Sequence, residues 1–191
     1  MDYNHRTGSP RRAGFTLVEF VVAMLCIGVL AVPAAYLMMH MVWDSVFIPN
    51  QLNMDMLVSD AFDIMIEGDS QAKGLRNSRE ITAVAAYQVT FINQDGQTIS
   101  YRLDTAGSKL YRSIDGAAEE LIPYYATTGI NLSGKSGAVF RYYDGNEAVT
   151  ATPANVRWIT MTLIAMTGTG AFADWEGQSE QYSGIAVYKF Q

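Results

Sequence analysis

Hydrophobic and polar positions pass through three patterns along this chain. From Phe20 to Met39 there are twenty residues without Asp, Glu, Lys, Arg or His, and the apolar character persists to Trp43. At about 1.5 Å per residue, a helix of that length spans roughly 30 Å, the thickness of a bilayer core. The second pattern runs from Leu52 to Glu67. Met54, Leu57, Val58, Ala61, Ile64 and Met65 fall on one side of a helical wheel, and Asp55, Ser59, Asp60, Asp63 and Glu67 on the other. That spacing predicts an amphipathic helix continuing from the first. Pro49-Asn50 stands between the two as a break or a fresh cap, and Gly68-Asp69-Ser70 with Gly74 closes the helical region.

From about Ile81 the pattern turns to strands. Val89–Ile92 and Thr98–Leu103 flank Asn93-Gln94-Asp95-Gly96, a hairpin signal. Lys109–Arg112 follows another glycine-containing turn and is placed to pair with the strand before it; later strands are predicted at Ala138–Tyr143, Val156–Ala165 and Gly184–Phe190. The predicted fold class is therefore α+β: a long N-terminal helix, transmembrane and then amphipathic, with its apolar stripe packed on a C-terminal antiparallel β-sheet head. A head of about 120 residues buries a core without disulfides or metal. Cys26 is the single cysteine, so no intrachain disulfide can form.

Charge adds a direction. Arg6, Arg11 and Arg12 precede the apolar run, and the next basic residue is Lys73, with only acids between. Basic residues collect on the cytoplasmic side, which places the N-terminus in the cytoplasm and residues beyond about 44 outside. A secretory signal peptide is a rival reading, but the run is longer than an h-region of about 7–15 residues and lacks a clean small-x-small site. A buried helix of a soluble core is the other rival, and all-round hydrophobicity over this length disfavours it. One acid, Glu19, stands at the edge of the run, where an unpaired carboxylate is costly and by default marks function.

Read together, Gly14-Phe15-Thr16-Leu17-Val18-Glu19-Phe20 after a basic leader resembles the type III signal of type IV pilins and pseudopilins. The resemblance implies a leader of residues 1–14 that a prepilin peptidase removes by cutting between Gly14 and Phe15, with N-methylation of the new terminus, Phe15. It implies that Glu19 sets register by pairing with the terminal amine of a neighbouring subunit; the alternative is that Glu19 only snorkels toward the headgroups. The expected divisions are then leader 1–14, transmembrane or filament-core helix 15–43, amphipathic continuation 44–68 and β-rich head 69–191. Many major pilins carry a helix-loosening proline slightly later than Pro33, and many carry a C-terminal disulfide that this chain cannot form. The order of hairpin and late strand in the head is similar to J-type minor pseudopilins of type II secretion and to W-type minor pilins. Glu19 argues against the K-type tip subunit, which typically lacks that acid. Implied partners are sister pilins through helix packing, the prepilin peptidase, the inner-membrane assembly platform and, before assembly, membrane lipid. The expected location is the cytoplasmic membrane as a single-pass protein, then a periplasmic or cell-surface filament.

Composition narrows the chemistry. The full chain of 191 residues has a net charge of −6, and removal of a leader with three Arg and one Asp leaves 10 basic and 18 acidic groups, about −8. Nucleic-acid contact needs clustered Lys and Arg, so none is expected; Arg76-Asn77-Ser78-Arg79, the densest basic stretch, reads as a solvated loop. The two histidines, His5 and His40, lie in the leader and the apolar run, so the head has no histidine for a catalytic triad or a Cys/His zinc site. Asp60 with Asp63 and Glu119 with Glu120 read as solvated acids. The Asp-Gly turns at Asp95, Asp115 and Asp144 lack EF-hand spacing and read as turn chemistry. No catalytic residue, cofactor or metal site is expected, and the protein is expected not to be an enzyme. Tyr124-Tyr125, Tyr142-Tyr143, Trp158 and Trp175 form either core packing or a sugar- or protein-binding patch. A tip adhesin or uptake receptor is the alternative function.

Overall fold

The computed structural model describes residues 16–125, 130–167 and 178–187. One helix, α1 (Leu17–Ile66), is followed by nine strands among the described residues: β1 (Ser78–Ala85), β2 (Gln88–Asn93), β3 (Thr98–Asp104), β4 (Lys109–Ile114), β5 (Glu120–Leu121), β6 (Ile130–Ser133), β7 (Phe140–Tyr143), β8 (Trp158–Thr167) and β9 (Gln178–Ala186). A long N-terminal helix before antiparallel sheets is the pilin-like α+β layout. The chain divides into two compact units, with the boundary between Ser45 and Val46.

In the first unit, Leu17–Ser45 is apolar enough to cross a membrane, with a mean hydropathy of 2.4, and none of it is buried. Such a segment exposes to water what only lipid or another helix can cover. Pro33 lies inside α1 without ending it. Pro49-Asn50 likewise falls within the helix, so the break considered there does not occur.

In the second unit, Met54, Leu57, Val58, Ala61, Phe62 and Met65 of α1 are buried, while Ile64 is half-buried. Their three- and four-residue spacing aligns one stripe of the helix with the core. Gly68 ends the run in a left-handed conformation, φ +93°, and a Cβ there would stand 2.2 Å from the carbonyl oxygen of Ala72. The N–H groups of Glu67 and Gly68 both donate to the carbonyl of Asp63, satisfying a helix end that would otherwise be orphaned.

Strands β1 to β5 form a five-stranded antiparallel meander in chain order. Alternation places Val89, Phe91, Ile99, Tyr101, Leu103 and Leu110 inward. The β2–β3 hairpin is locked by Asn93, whose buried Oδ1 accepts from the N–H groups of Asp95 (3.0 Å) and Gln97 (2.9 Å). In the second sheet, β8 pairs along its length with β9, and on its other edge β7 takes the first half and β6 the second. Phe140, Tyr142, Ile159, Met161, Leu163 and Ala165 contribute the inner face to the same core cluster. Tyr142 ties the sheets together, its single O–H within reach of the carbonyls of Gln88 (2.7 Å) and Ala85 (3.1 Å) and directed chiefly at the nearer.

The expected strands stand with shifted ends. The late strands begin at Phe140, Trp158 and Gln178, and residues 188–190 of the last expected strand lie outside the described residues. The basic stretch Arg76–Arg79 is solvated at both arginines but is not a loop. Leu75–Asn77 makes a 3-10 turn, Ser78 is buried and opens β1, and Arg76 pairs with Glu67.

Candidate functional site

The expected leader 1–14, with the expected cleavage position Gly14 and N-terminal residue Phe15, lies outside the described residues. Glu19 is described. Thr16 precedes the first residue of α1, and its backbone N–H (2.8 Å) and hydroxyl (3.0 Å) both donate to Oε2 of Glu19. The N–H of Glu19 in turn donates to the Thr16 hydroxyl at 3.3 Å. This reciprocal exchange is a capping box, which satisfies helix N-terminal donors that have no partner within the helix. Sequence reasoning missed Thr16, although Thr-x-x-Glu before an apolar run is the motif for such a cap. The cap fixes the carboxylate at the first turn, where the helix dipole favours negative charge.

The remainder of this segment presents apolar surface. Gly28 has nothing within 4 Å of where a Cβ would stand, leaving a gap beside Met24, Leu25, Val29 and Val32. Small residues of this kind let another helix approach closely. Cys26 is exposed, and Tyr36 meets His40 edge-on with ring centroids 4.4 Å apart, one helical turn on.

The head holds a charged cluster that sequence reasoning missed. Arg112 is in phase with Leu110 on β4, so the alternation that buries leucine also buries the guanidinium, leaving it 2% exposed. Its Nη2 contacts Asp69 at 2.9 Å and Glu120 at 2.6 Å, and its Nε donates to Glu120 at 2.6 Å. Arg112 lies directly across from Tyr101, whose hydroxyl donates to the carbonyl of Ile64 on α1 at 3.0 Å. The cluster therefore joins sheet, helix end and the loop after it. Burial would raise the Asp69 carboxyl, but the Arg112 guanidinium and the N–H groups of Gln71 and Ala72 outweigh it and hold it below the ordinary carboxylate range. Burial likewise opposes the charge on Arg112, and the two carboxylates hold its pKa above the ordinary value. Burial pushes the Tyr101 hydroxyl up, so it remains a neutral donor.

The expected surface acids are more engaged than their solvated reading implied. Glu119 accepts a two-point contact from Arg102, which lowers its carboxyl, and Glu120 holds buried Arg112. Asp60 is half-buried and Asp63 exposed. Asp95 pairs with Lys73, Asp115 accepts from the N–H of Thr98 at 2.7 Å, and Asp144 accepts from the N–H groups of Asn146 and Ala148. All three serve turns or ion pairs. Among the described residues, no three His, Cys, Asp or Glu side chains gather into a metal-holding group. Of the aromatic candidates, Tyr142 is core, Tyr124 and Trp158 are exposed, and Trp175 lies outside the described residues.

No curated protein and no solved structure matches this chain. Residues 9–35 match the family model described as the prokaryotic N-terminal methylation motif. That span covers the expected cleavage junction at Gly14–Phe15, the capped turn at Thr16–Glu19 and the first part of the apolar helix. A prepilin-type signal feeding an exposed apolar helix and a β-rich head supports a membrane-anchored, pilin-like protein.

Proposed function

We propose that this chain is a minor pilin or pseudopilin, a structural and non-enzymatic subunit of a type II secretion pseudopilus or a type IV pilus. The observation that carries the reading is the methylation motif at residues 9–35 running without interruption into a helix segment, Leu17–Ser45, that is wholly exposed. Residues 1–14 act as a cytoplasmic leader, cut between Gly14 and Phe15, and Phe15 is then N-methylated. Residues 15–43 anchor the subunit in the cytoplasmic membrane and later pack in the filament core, 44–68 continue the helix, and 69–191 form the head outside. Glu19 sets register with the amine of a neighbour, because burying either charge is costly without the other. The head serves assembly initiation or a tip complex; the support for this is the resemblance of its sequence, hairpin first and a late strand after, to J-type and W-type subunits.

The test is co-expression of the full chain with a prepilin peptidase, followed by mass spectrometry of the N-terminus. A terminal peptide beginning with methylated Phe15 is expected. An intact leader, or a terminus at any other residue, overturns the reading.

A further inference from the structure

We propose that the outer face of the second sheet binds a quaternary ammonium group. A hollow of about 420 Å³ opens there, lined by Tyr143, Asp144, Glu147, Trp158, Thr160 and Tyr182. The volume is within the range of small-molecule sites, roughly 300–1,000 Å³. Strand register brings the aromatic rings together from three strands. Tyr143 of β7 stands directly across from Trp158 of β8, and Tyr182 of β9 stands across from Thr162, on the same face of β8 as Trp158. None of these rings is core: Trp158 is 43% and Tyr182 67% exposed.

The placement of Trp158 depends on one glycine. A Cβ on Gly184 would stand 2.6 Å from Cζ2 and 3.1 Å from Cε2 of the indole. The ring therefore lies against the bare backbone of β9, held down on the sheet instead of projecting from it. An exposed aromatic seated in this way is a platform, and a cation is attracted to the face of such a ring.

Charge selects the occupant. Asp144 and Glu147 line the hollow and no Lys or Arg does; neither acid has an ion pair among the described residues. Asp144 commits Oδ1 to its own turn. Two nearby bases are directed elsewhere. Arg157 donates through Nη1 to the carbonyls of Ala154 (3.2 Å) and Val156 (3.0 Å). Lys135 pairs with Glu180 at 2.7 Å. Arg141, across from Thr160, lines an adjoining hollow that shares Tyr143, Thr160 and Tyr182 with this one, and among the described residues it is the one base on this face that competes with a bound cation. A neutral sugar would use the rings but leave two carboxylates uncompensated, whereas a cation uses both. A primary ammonium brings three donors that each need an acceptor. A quaternary ammonium has none, and suits a wall that combines three aromatic rings with two carboxylates.

The test uses the full chain in an oligo(ethylene glycol) ether detergent, free of choline and sugar headgroups, with tetramethylammonium and choline chlorides as probes. Saturable binding is expected by ligand-observed NMR, weaker for butylammonium and weakened by added salt. Trp158→Ala should reduce affinity by roughly tenfold while Trp158→Phe retains most of it, with circular dichroism confirming the fold. Glu147→Gln, on an exposed turn, should weaken cation binding without touching the core, and keeps the question answerable if Trp158→Ala does not fold. Preferential binding of methyl glucoside or inorganic phosphate, unchanged affinity in Glu147→Gln at low salt, or no saturable response to either cation overturns the proposal. Because the assay needs neither processing nor assembly, its failure is separate from failure of the filament reading.

Discussion

Replacing Arg112 with Met should cost the head less stability than neutralising the two carboxylates that hold it. The asymmetry follows from burial. The Arg112 side chain is 2% exposed, whereas Asp69 is 32% and Glu120 41% exposed. Removing the arginine lets both acids return to water and removes a buried Nη1 that has no hydrogen-bond partner. Methionine fills much of the volume, and such a replacement of a buried ion is often near neutral, so a change within about 1 kcal/mol is expected. Asp69→Asn with Glu120→Gln does the opposite. The amides keep the shape of the acids, and the amide introduced in place of Asp69 retains an oxygen for the N–H groups of Gln71 and Ala72. The guanidinium, however, stays buried without a countercharge, at a cost of about 3–5 kcal/mol. Urea unfolding of the detergent-solubilised chain, followed by near-ultraviolet circular dichroism, compares the two. A loss in Arg112→Met equal to or greater than that of the double variant would refute the burial reasoning.

Two further outcomes are expected. Acid should destabilise the head through Asp69, with a smaller, salt-sensitive share from exposed Glu119. Both carboxyls are held low in the folded state, so their contribution is fully present above the unfolded carboxylate range, about pH 4, and is lost as pH falls through the depressed folded values. Unfolding midpoints measured from neutral to acid pH should therefore stay level and then fall, and Arg112→Met should flatten the Asp69 share; a midpoint rising on acidification contradicts this. Glu19→Val should insert and be processed normally but enter filaments poorly, read by immunoblot of sheared filament against membrane fractions. Wild-type incorporation would remove the pairing role from Glu19.

The fold was legible wherever side-chain period was unambiguous. The α1 stripe at Met54–Met65 and the β2–β3 hairpin emerged because period 3.6 and period 2 were clean and Asn93–Gly96 is a strong turn. Strand β6 escaped because Ile130–Ser133 is only four residues long and takes its identity from pairing with β8 far along the chain. Pro49 misled because proline is a helix breaker by local preference, yet α1 carries it in its interior with one backbone donor fewer. Arg112 was missed for a different reason: hydrophobic patterning treats an arginine as outward-facing, although its phase with Leu110 pointed inward. The hollow around Trp158 needed three strands in register, which no local window contains.

The capped turn at the start of α1 has an energetic consequence. A carboxylate that already accepts two hydrogen bonds from Thr16 gains from a new partner only the difference between the two states. On the proposed pairing, a neighbour's amine adds the countercharge that burial requires, but it must first displace hydrogen bonds already in place. Thr16 thus holds the acid satisfied at the helix start before any partner arrives, and a neighbour must displace those bonds to claim it.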